Sequence, residues 1–308
     1  MGETTETGLL RLARALQGLG YAFVTPTPAS HARVNARPGA AWAADLRDVF
    51  GWSRPFRAGV VPDALLDAMR DAEVLARHGE GWRSLVRASS LDRLLFLHSA
   101  YPTTAADAVF FGPDTYRFGR AILAGMPARV RRAVDIGCGA GPGAILVARA
   151  HPAAEVLGVD INDAALRLTR ANAALAGVRV TGVHSDLLAG TTGAFDLIVA
   201  NPPYLVDPGE RAYRHGGGPL GAGLSLAILN AALHRLAPGG TLLLYTGAAI
   251  IGGADPFRAE VTKRLAGSGL AWTYEEVDPD VFGEELEHGV YAAADRIAAV
   301  LLTATKPG

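Results

Sequence analysis

The chain has 308 residues, half of them hydrophobic, a formal net charge of −1 and a single cysteine, Cys138. That length accommodates one large domain and a smaller one. The near-neutral charge gives bulk electrostatics no hold on a nucleic-acid partner, and one cysteine excludes an intrachain disulfide.

The first 110 residues carry an irregular pattern. Leu9, Leu10, Leu12, Leu16 and Leu19 recur at helical spacing over Thr7 to Leu19, with Gly20 as a stop. Thr25 to Ala41, rich in Pro, Gly and Ala, reads as a loop. Pro62 to His78 reads as a second helix, with Pro62 in its first turn and Leu65, Leu66, Met69 and Val74 on one side. Leu85-Val86-Arg87 and Leu94-Leu95-Phe96-Leu97 flank a Ser-Ser-Leu-Asp turn and predict a β-hairpin over Ser84 to Ser99.

After residue 120 the pattern alternates. Strands are expected at Ala133–Ile136, Val156–Val159, Val178–His184, Phe195–Ala200, Thr241–Tyr245, Ala271–Glu276 and Arg296–Ala304. Helices are expected at Gly143–Ala150, Asp163–Ala176, Leu224–Leu236 (closed by Pro238-Gly239-Gly240) and from an Asp255 cap and Pro256 to Leu265. Repeated strand–helix alternation implies parallel strands with helices on both faces. The expected fold is therefore α/β: a seven-stranded Rossmann-like sheet over 111–308, preceded by a smaller, mainly helical domain at 1–110 with a connecting β-hairpin. Glu3 and Glu6 stand where a secretory leader needs basic residues, and no apolar run approaches the roughly 18 residues of a membrane span. A cytoplasmic protein without a membrane segment is expected.

The strand ends carry the chemistry. Asp135-Ile136-Gly137-Cys138-Gly139-Ala140-Gly141 closes the first strand of the sheet and opens its helix, and glycines there let the backbone approach a ligand. A nicotinamide fingerprint wants a small residue where Pro142 stands, and the Asp135 carboxylate just before the glycines repels a pyrophosphate but suits an ammonium or an ordered water. Asp160, followed by Ile161, ends the second strand about 20 residues past the glycines, where a carboxylate takes both ribose hydroxyls. Asp186, followed by Leu187, ends the third, where a carboxylate accepts from an adenine amine. Sites for ammonium, ribose and adenine without a phosphate cradle fit S-adenosyl-L-methionine. Each residue alone has a plainer reading: Asp160 or Asn162 as a helix cap, Cys138 as a small buried filler. The order and spacing of the whole set favour the cofactor.

The fourth strand ends in Asn201-Pro202-Pro203-Tyr204. An Asn beside a prolyl segment offers a side-chain carbonyl and a rigid backbone carbonyl, two acceptors for a flat amino group. With the glycines and the Asp series, these residues resemble class I S-adenosylmethionine-dependent methyltransferases that carry an Asn-Pro-Pro-Tyr motif, and most of all the protein release factor glutamine methyltransferase family. The resemblance covers about residues 108–308. Gly216 to Leu224 is similar to that family's Gly-rich segment after the motif. Gly112-Pro113-Asp114-Thr115-Tyr116 is similar to its Pro-Asp-Thr-Glu segment before the first strand, which implies that Thr115 lies against the cofactor. The chain departs from the pattern at Tyr116, which replaces Glu; at Leu244-Tyr245-Thr246-Gly247, a strand end that usually carries Glu; in the N-terminal 110 residues; and in the long connection from Asp278 to Asp295.

The expected reaction is methyl transfer to a planar amide or amine nitrogen. Asn201 and Pro202 would accept its N–H groups and aim its lone pair, while Pro203 and Tyr204 hold and stack on the planar group. A protein glutamine or related amide is the leading acceptor. An exocyclic base amine of RNA or DNA and a small-molecule amine or amide are the alternatives; the absence of a basic stripe and the acidic last connection count against nucleic acid. Asp278, Asp280, Glu284, Glu285 and Glu287 in that connection read either as a lid or selector on the active-site face or as a solvated loop. Asp207, Glu210, Arg211, Tyr213, Arg214 and His215 are candidate walls of the acceptor pocket, and one of His98, Tyr101, Phe110 and Phe111 is expected to cover the ligand.

Overall fold

The structure is a computed structural model describing residues 2–207, 209, 211, 213–287 and 289–308. The N-terminal part contains α1 (Gly2–Gly18), α2 (Pro28–Asn35), α3 (Leu46–Phe50), α4 (Asp63–Asp71) and four short strands, β1 (Leu75–His78), β2 (Gly81–Ser84), β3 (Val86–Leu91) and β4 (Leu94–Ser99). There follow α5 (Pro113–Gly125), β5 (Arg132–Ile136), α6 (Pro142–Ala150), β6 (Glu155–Asp160), α7 (Asp163–Ala176), β7 (Thr181–His184) and β8 (Phe195–Ala200). The chain ends with α8 (Gly223–Arg235), β9 (Leu236–Ile250), α9 (Pro256–Leu265), β10 (Ala271–Asp278) and β11 (Arg296–Thr305).

Seven strands form one sheet in the order β10-β11-β9-β8-β5-β6-β7. Only β11 runs antiparallel to its neighbours. The order turns back at β5, and the carboxyl ends of β5, β6 and β8 open there onto one crevice, the place where open α/β sheets bind ligands. Both faces are covered. Ile228, Leu229, Phe257 and Val261 of α8 and α9 pack on one face. On the other, the core continues without a break from Val199 and Leu243 into Leu12, Phe50, Met69 and Leu97 of the N-terminal part.

Local signals explain most boundaries. The Asn162 side chain accepts from Ala164 N to start α7, and Gly177 in left-handed backbone (φ 69°) ends it. Asp255 caps α9 by accepting from Arg258 N at 2.8 Å, with Pro256 in the first turn. Asn172 of α7 positions the site: its side chain accepts from Leu97 N and donates to Leu97 O and Ala140 O at 2.8–2.9 Å. One buried amide thus ties β4 to the glycine turn.

Four expectations need correction. Residues 25–41 are not all loop, since the Thr27 hydroxyl caps a helix whose first residue is Pro28. The second helix stops at Asp71 because Glu73 turns into left-handed backbone (φ 56°), and the residues beyond it form an unexpected hairpin, β1–β2. In the β3–β4 hairpin Ser89, Ser90 and Leu91 belong to the strand, and the turn is Asp92-Arg93, both at positive φ as a two-residue hairpin turn requires. Finally, Pro238-Gly239-Gly240 lies within β9, which runs fifteen residues rather than five.

Candidate active site

A cavity of about 250 Å³ opens at the carboxyl ends of β5, β6 and β8. The glycine turn forms its floor. Gly137 and Gly139 line it in left-handed backbone (φ 68° and 56°), and a side chain on Gly137 would project into open space. Gly141 lies behind the cavity: it is the left-handed N-cap of α6, packed on Thr169.

Asp135 lines the cavity yet is buried, and its Oδ2 accepts from Ala144 N at 2.8 Å. Burial pushes its carboxyl up to about 7 against that hydrogen bond, with Asp160 adding to the rise. Asp160 accepts from Gly139 N at 3.0 Å and from Asn162 N at 2.9 Å; burial raises it too, and those bonds oppose the rise. Each Asp160 oxygen keeps a lone pair for a further donor. Ile161, 56% exposed, presents an apolar face to the cavity beside Leu187. Asp186, also a lining residue, is exposed; its backbone carbonyl accepts from Ala189 N at 3.0 Å, and no hydrogen bond or ion pair engages its carboxylate among the described residues. Thr115, in the first turn of α5, lines the opposite side and accepts from Gly112 N at 3.1 Å.

Asn201, Pro202, Pro203 and Tyr204 all line the same cavity. No hydrogen bond among the described residues engages the Asn201 side chain or the Pro202 carbonyl, so both acceptors face the cavity uncommitted. The Gly-rich segment after the motif is its seat. A Cβ on Gly221 would sit 2.1 Å from Tyr204 O, and one on Gly216 would sit 2.7 Å from both Pro203 O and Tyr204 Cα. Only glycine permits that approach.

Tyr204 is more constrained than a free stacking platform. Its hydroxyl donates to Asp114 Oδ2 at 2.7 Å, and Tyr245 donates to Asp114 Oδ1 at 2.8 Å. Burial, then the Asp114 charge, pushes the Tyr204 phenol well up. The ring lies over Gly247 and meets the Phe282 ring at 5.8 Å and 72°. Asp114 also pairs with Arg117, which reaches Asp278 at 2.6 Å. The residues that depart from the family pattern around the strand end, Tyr245 and Gly247, are thus those that accommodate Tyr204 and its Asp114 anchor.

Of the residues expected to wall the acceptor pocket, Tyr213 and Arg214 line the cavity. Asp207 is buried behind them, held down to about 2 by hydrogen bonds from Arg211; His215 braces Asp207 N, and Glu210 lies outside the described residues. Phe110 is the aromatic that lines the cavity, stacked on Tyr213 at 6.1 Å. Phe111 packs on His98 in the interior, and Tyr101 and His98 face a second, smaller cavity. The last connection does reach the active-site face: Phe282 lines the cavity, and Glu285 pairs with Arg214. Sequence reasoning missed Phe282 and Pro28, the latter because its helix was read as loop; Thr27 followed by Pro28, a capping pair, was the available signal.

A family model described as the methyltransferase small domain matches residues 105–249. A release factor glutamine methyltransferase of Mycobacterium leprae is 35% identical over 202 residues, covering 58% of this chain and 68% of the relative. One of Deinococcus radiodurans is 39% identical over 165 residues, 50% of this chain and 55% of the relative. A 4-amino-L-phenylalanine/4-methylamino-L-phenylalanine methyltransferase of Streptomyces pristinaespiralis is 36% identical over 152 residues, 44% and 52%. The chain thus spans little more than half the length of the last two. Among solved structures, Methanocaldococcus jannaschii Trm5 in complex with adenosine shares the fold, with a TM-score of 0.53 and 14% identity over 83% of this chain and 63% of that one. On these matches the chain belongs to the S-adenosylmethionine-dependent methyltransferases of the release factor glutamine methyltransferase family.

Proposed function

We propose that the protein methylates the side-chain amide nitrogen of glutamine in a protein acceptor, working in the cytoplasm. The observation that carries this reading is the uncommitted pair of acceptors, Asn201 side chain and Pro202 carbonyl, facing the glycine turn across one cavity. Residues for the ammonium, ribose and adenine of S-adenosyl-L-methionine line that cavity: Asp135 for the ammonium, Asp160 for the ribose, Asp186, Ile161 and Leu187 for the adenine, with Gly137, Gly139 and Thr115 giving close approach. When bound, the cofactor would supply an electrophilic methyl group on a sulfonium and leave as a neutral thioether, and the methylated nitrogen would release its extra proton to solvent.

The chain's own task is to make a poor nucleophile competent. An amide nitrogen has its lone pair delocalised into the carbonyl. Asn201 Oδ1 and Pro202 O accept its two N–H groups, which favours positive charge growing on nitrogen and turns the lone pair out of conjugation. Alignment of this kind supplies several kcal/mol of rate enhancement. Tyr204, fixed by Asp114 and Gly247, borders the planar group, and Phe282 and Phe110 exclude water. Residues 1–110 and the 278–295 connection act as the acceptor-recognition part.

A second reading, methylation of a free aromatic amine, is supported by the match to the 4-amino-L-phenylalanine enzyme. Tritiated cofactor added to size-fractionated lysate, with and without nuclease, separates the two: nuclease-insensitive label in protein, released as methylglutamine by enzymatic digestion and as methylamine by acid hydrolysis, is expected, and label confined to small molecules or to nuclease-sensitive RNA would overturn the glutamine reading. Asn201→Ala should lower turnover by about 100-fold or more while leaving cofactor affinity within about twofold; equal loss of both would remove the assigned role.

A further inference from the structure

Behind Phe110 lies a second cavity of about 20 Å³, room for one water-sized group. It shares Pro28, Thr103 and Phe110 as walls with the large cavity, and is otherwise lined by residues such as His31, Arg87, His98 and Tyr101. Arg87 and His31 are 5% and 0% exposed. Among the described residues, the buried side-chain polar atoms with no hydrogen-bond partner are His31 Nδ1 and an Arg87 guanidinium nitrogen, both on residues of this one cavity.

The Arg87 orphan is a donor. The Asn35 amide is oriented by Arg54, whose Nε donates to Asn35 Oδ1 at 3.0 Å, so Asn35 Nδ2 donates to Trp52 O at 2.8 Å and faces His31 Nε2 at 3.0 Å. A neutral His31 ring that accepts there carries its proton on Nδ1, and one that donates to Trp52 O carries it on Nε2. Burial, and next Arg87, pull His31 down to about 4, so it is neutral at physiological pH. Arg87, pulled down to about 10 by burial, remains a cation there. Its guanidinium donates to Gly51 O at 2.9 Å and stands 5.6 Å from the Phe23 ring centre, but no carboxylate pairs with it among the described residues. His98 offers nothing further: its Nδ1 faces Ser99 O and its Nε2 accepts from Ser89.

A buried guanidinium without an anion is costly, and a fold retains one where the countercharge arrives with a ligand. A water could take a hydrogen bond here but would neutralise nothing. We propose that the Arg87–His31 cavity is a binding subsite for one carboxylate, presented by a ligand in the adjoining active-site cavity. Two ligands of that cavity carry such a group: the cofactor in its methionine part, and any acceptor with a free α-carboxylate or a neighbouring acidic residue.

Sodium formate is the direct probe, titrated into the full chain at constant ionic strength while the ¹⁵N resonances of His31 and of the Arg87 Nε are followed. Saturable shifts of both are expected, lost in Arg87→Met if that variant retains the wild-type circular dichroism. Calorimetry then locates the source. If the cofactor provides the carboxylate, S-adenosyl-L-methionine binds about tenfold or more tighter than its decarboxylated analogue, formate narrows that gap in the wild type, and Arg87→Met abolishes it. If the acceptor provides it, cofactor affinity is unmoved and formate competes with the acceptor. Resonances that stay put with formate at high millimolar concentration would overturn the proposal and leave the cavity as a water site, whatever the methyl acceptor proves to be.

Discussion

Gly247→Ala is the sharpest test of how the motif is held. A Cβ at this buried position would stand 2.2 and 2.3 Å from two ring carbons of Tyr204. Ordinary contact begins near 3.4 Å, so the ring must retreat by about 1.2 Å. It has nowhere to go without loss: Phe282 lies on its edge and Asp114 holds its hydroxyl at 2.7 Å. Either the overpacking strain stays, at about 1–3 kcal/mol, or the charge-assisted bond to Asp114 breaks, at about 1.5–3 kcal/mol. A cost of about 1–3 kcal/mol corresponds to a fall in Tm of roughly 2–12 °C for a domain of this size. Displacement of the motif by that distance should lower turnover about 100-fold and change cofactor affinity much less. Differential scanning calorimetry, single-turnover kinetics and cofactor titration read the three quantities. Gly18→Ala, at the end of α1 with nothing within 4 Å of the added carbon, is the matched control and should be neutral or slightly stabilising. A Gly247→Ala protein that melts with the wild type and turns over normally would refute the claim that Tyr204 is fixed from behind by this glycine.

Two further outcomes follow from the carboxylates. Asp160→Ala should weaken cofactor binding by about 10- to 100-fold, because two ribose donors lose a charged acceptor; a Kd within twofold of wild type by calorimetry would take the ribose role away from it. Asp135 is raised from its ordinary 3.8 to about 7 in the fold, so the folded state binds a proton that the unfolded chain has already released. Its stabilising contribution is fully present below about pH 3.8 and is lost as pH rises through 7, a change of up to a few kcal/mol. The Tm of the cofactor-free wild type should therefore fall relative to Asp135→Asn between pH 4 and 7, and a gap independent of pH would show that Asp135 is already ionised in the fold.

What could be read from the sequence was what is encoded locally. Asp163–Ala176, Phe195–Ala200 and the α9 span are found with the expected bounds, because Asn162, Gly177, Asp255 and Pro256 set the helix ends through contacts within a few residues. The candidate site was legible for the same reason: Asp135, Asp160, Asp186 and Asn201 sit at or just past strand ends, and parallel topology carries all those ends to one edge. The errors are of another kind. Gly239 and Gly240 look like a stop, yet β9 runs through them and remains in strand as far as Ile250, a length set by pairing with β11, where Ile250 meets Arg296. The partners of Tyr204 were not legible because they lie 43 to 90 positions away: Asp114 belongs to the Pro-Asp-Thr segment, but nothing in the sequence ties that segment, Gly247 or Phe282 to the Tyr204 ring. Arg87 reads as a strand arginine until the fold leaves it donating to Gly51 O with no carboxylate partner among the described residues.

The acidic connection before β11 illustrates why acceptor choice is harder to read than chemistry. Counted in the sequence, its six carboxylates, Asp278 to Asp295, describe a trap for cations. In the fold, Asp278 is paired with Arg117 and Glu285 with Arg214, so two of the charges are spent on anchoring the connection to the motif's own supports. What this segment contributes to the cavity is Phe282, an apolar ring. Pro28 and Phe110 face the same space from the N-terminal side, with Thr103 beside them. On the proposed function, the acceptor would thus be selected by shape and by water exclusion more than by charge, on a rim whose residues can vary without touching Asn201 or the glycine turn. A rim of that kind suits a neutral, flat amide entering on a narrow stem, and Arg87, which no carboxylate pairs with among the described residues, favours an anionic rather than a cationic neighbour to that amide.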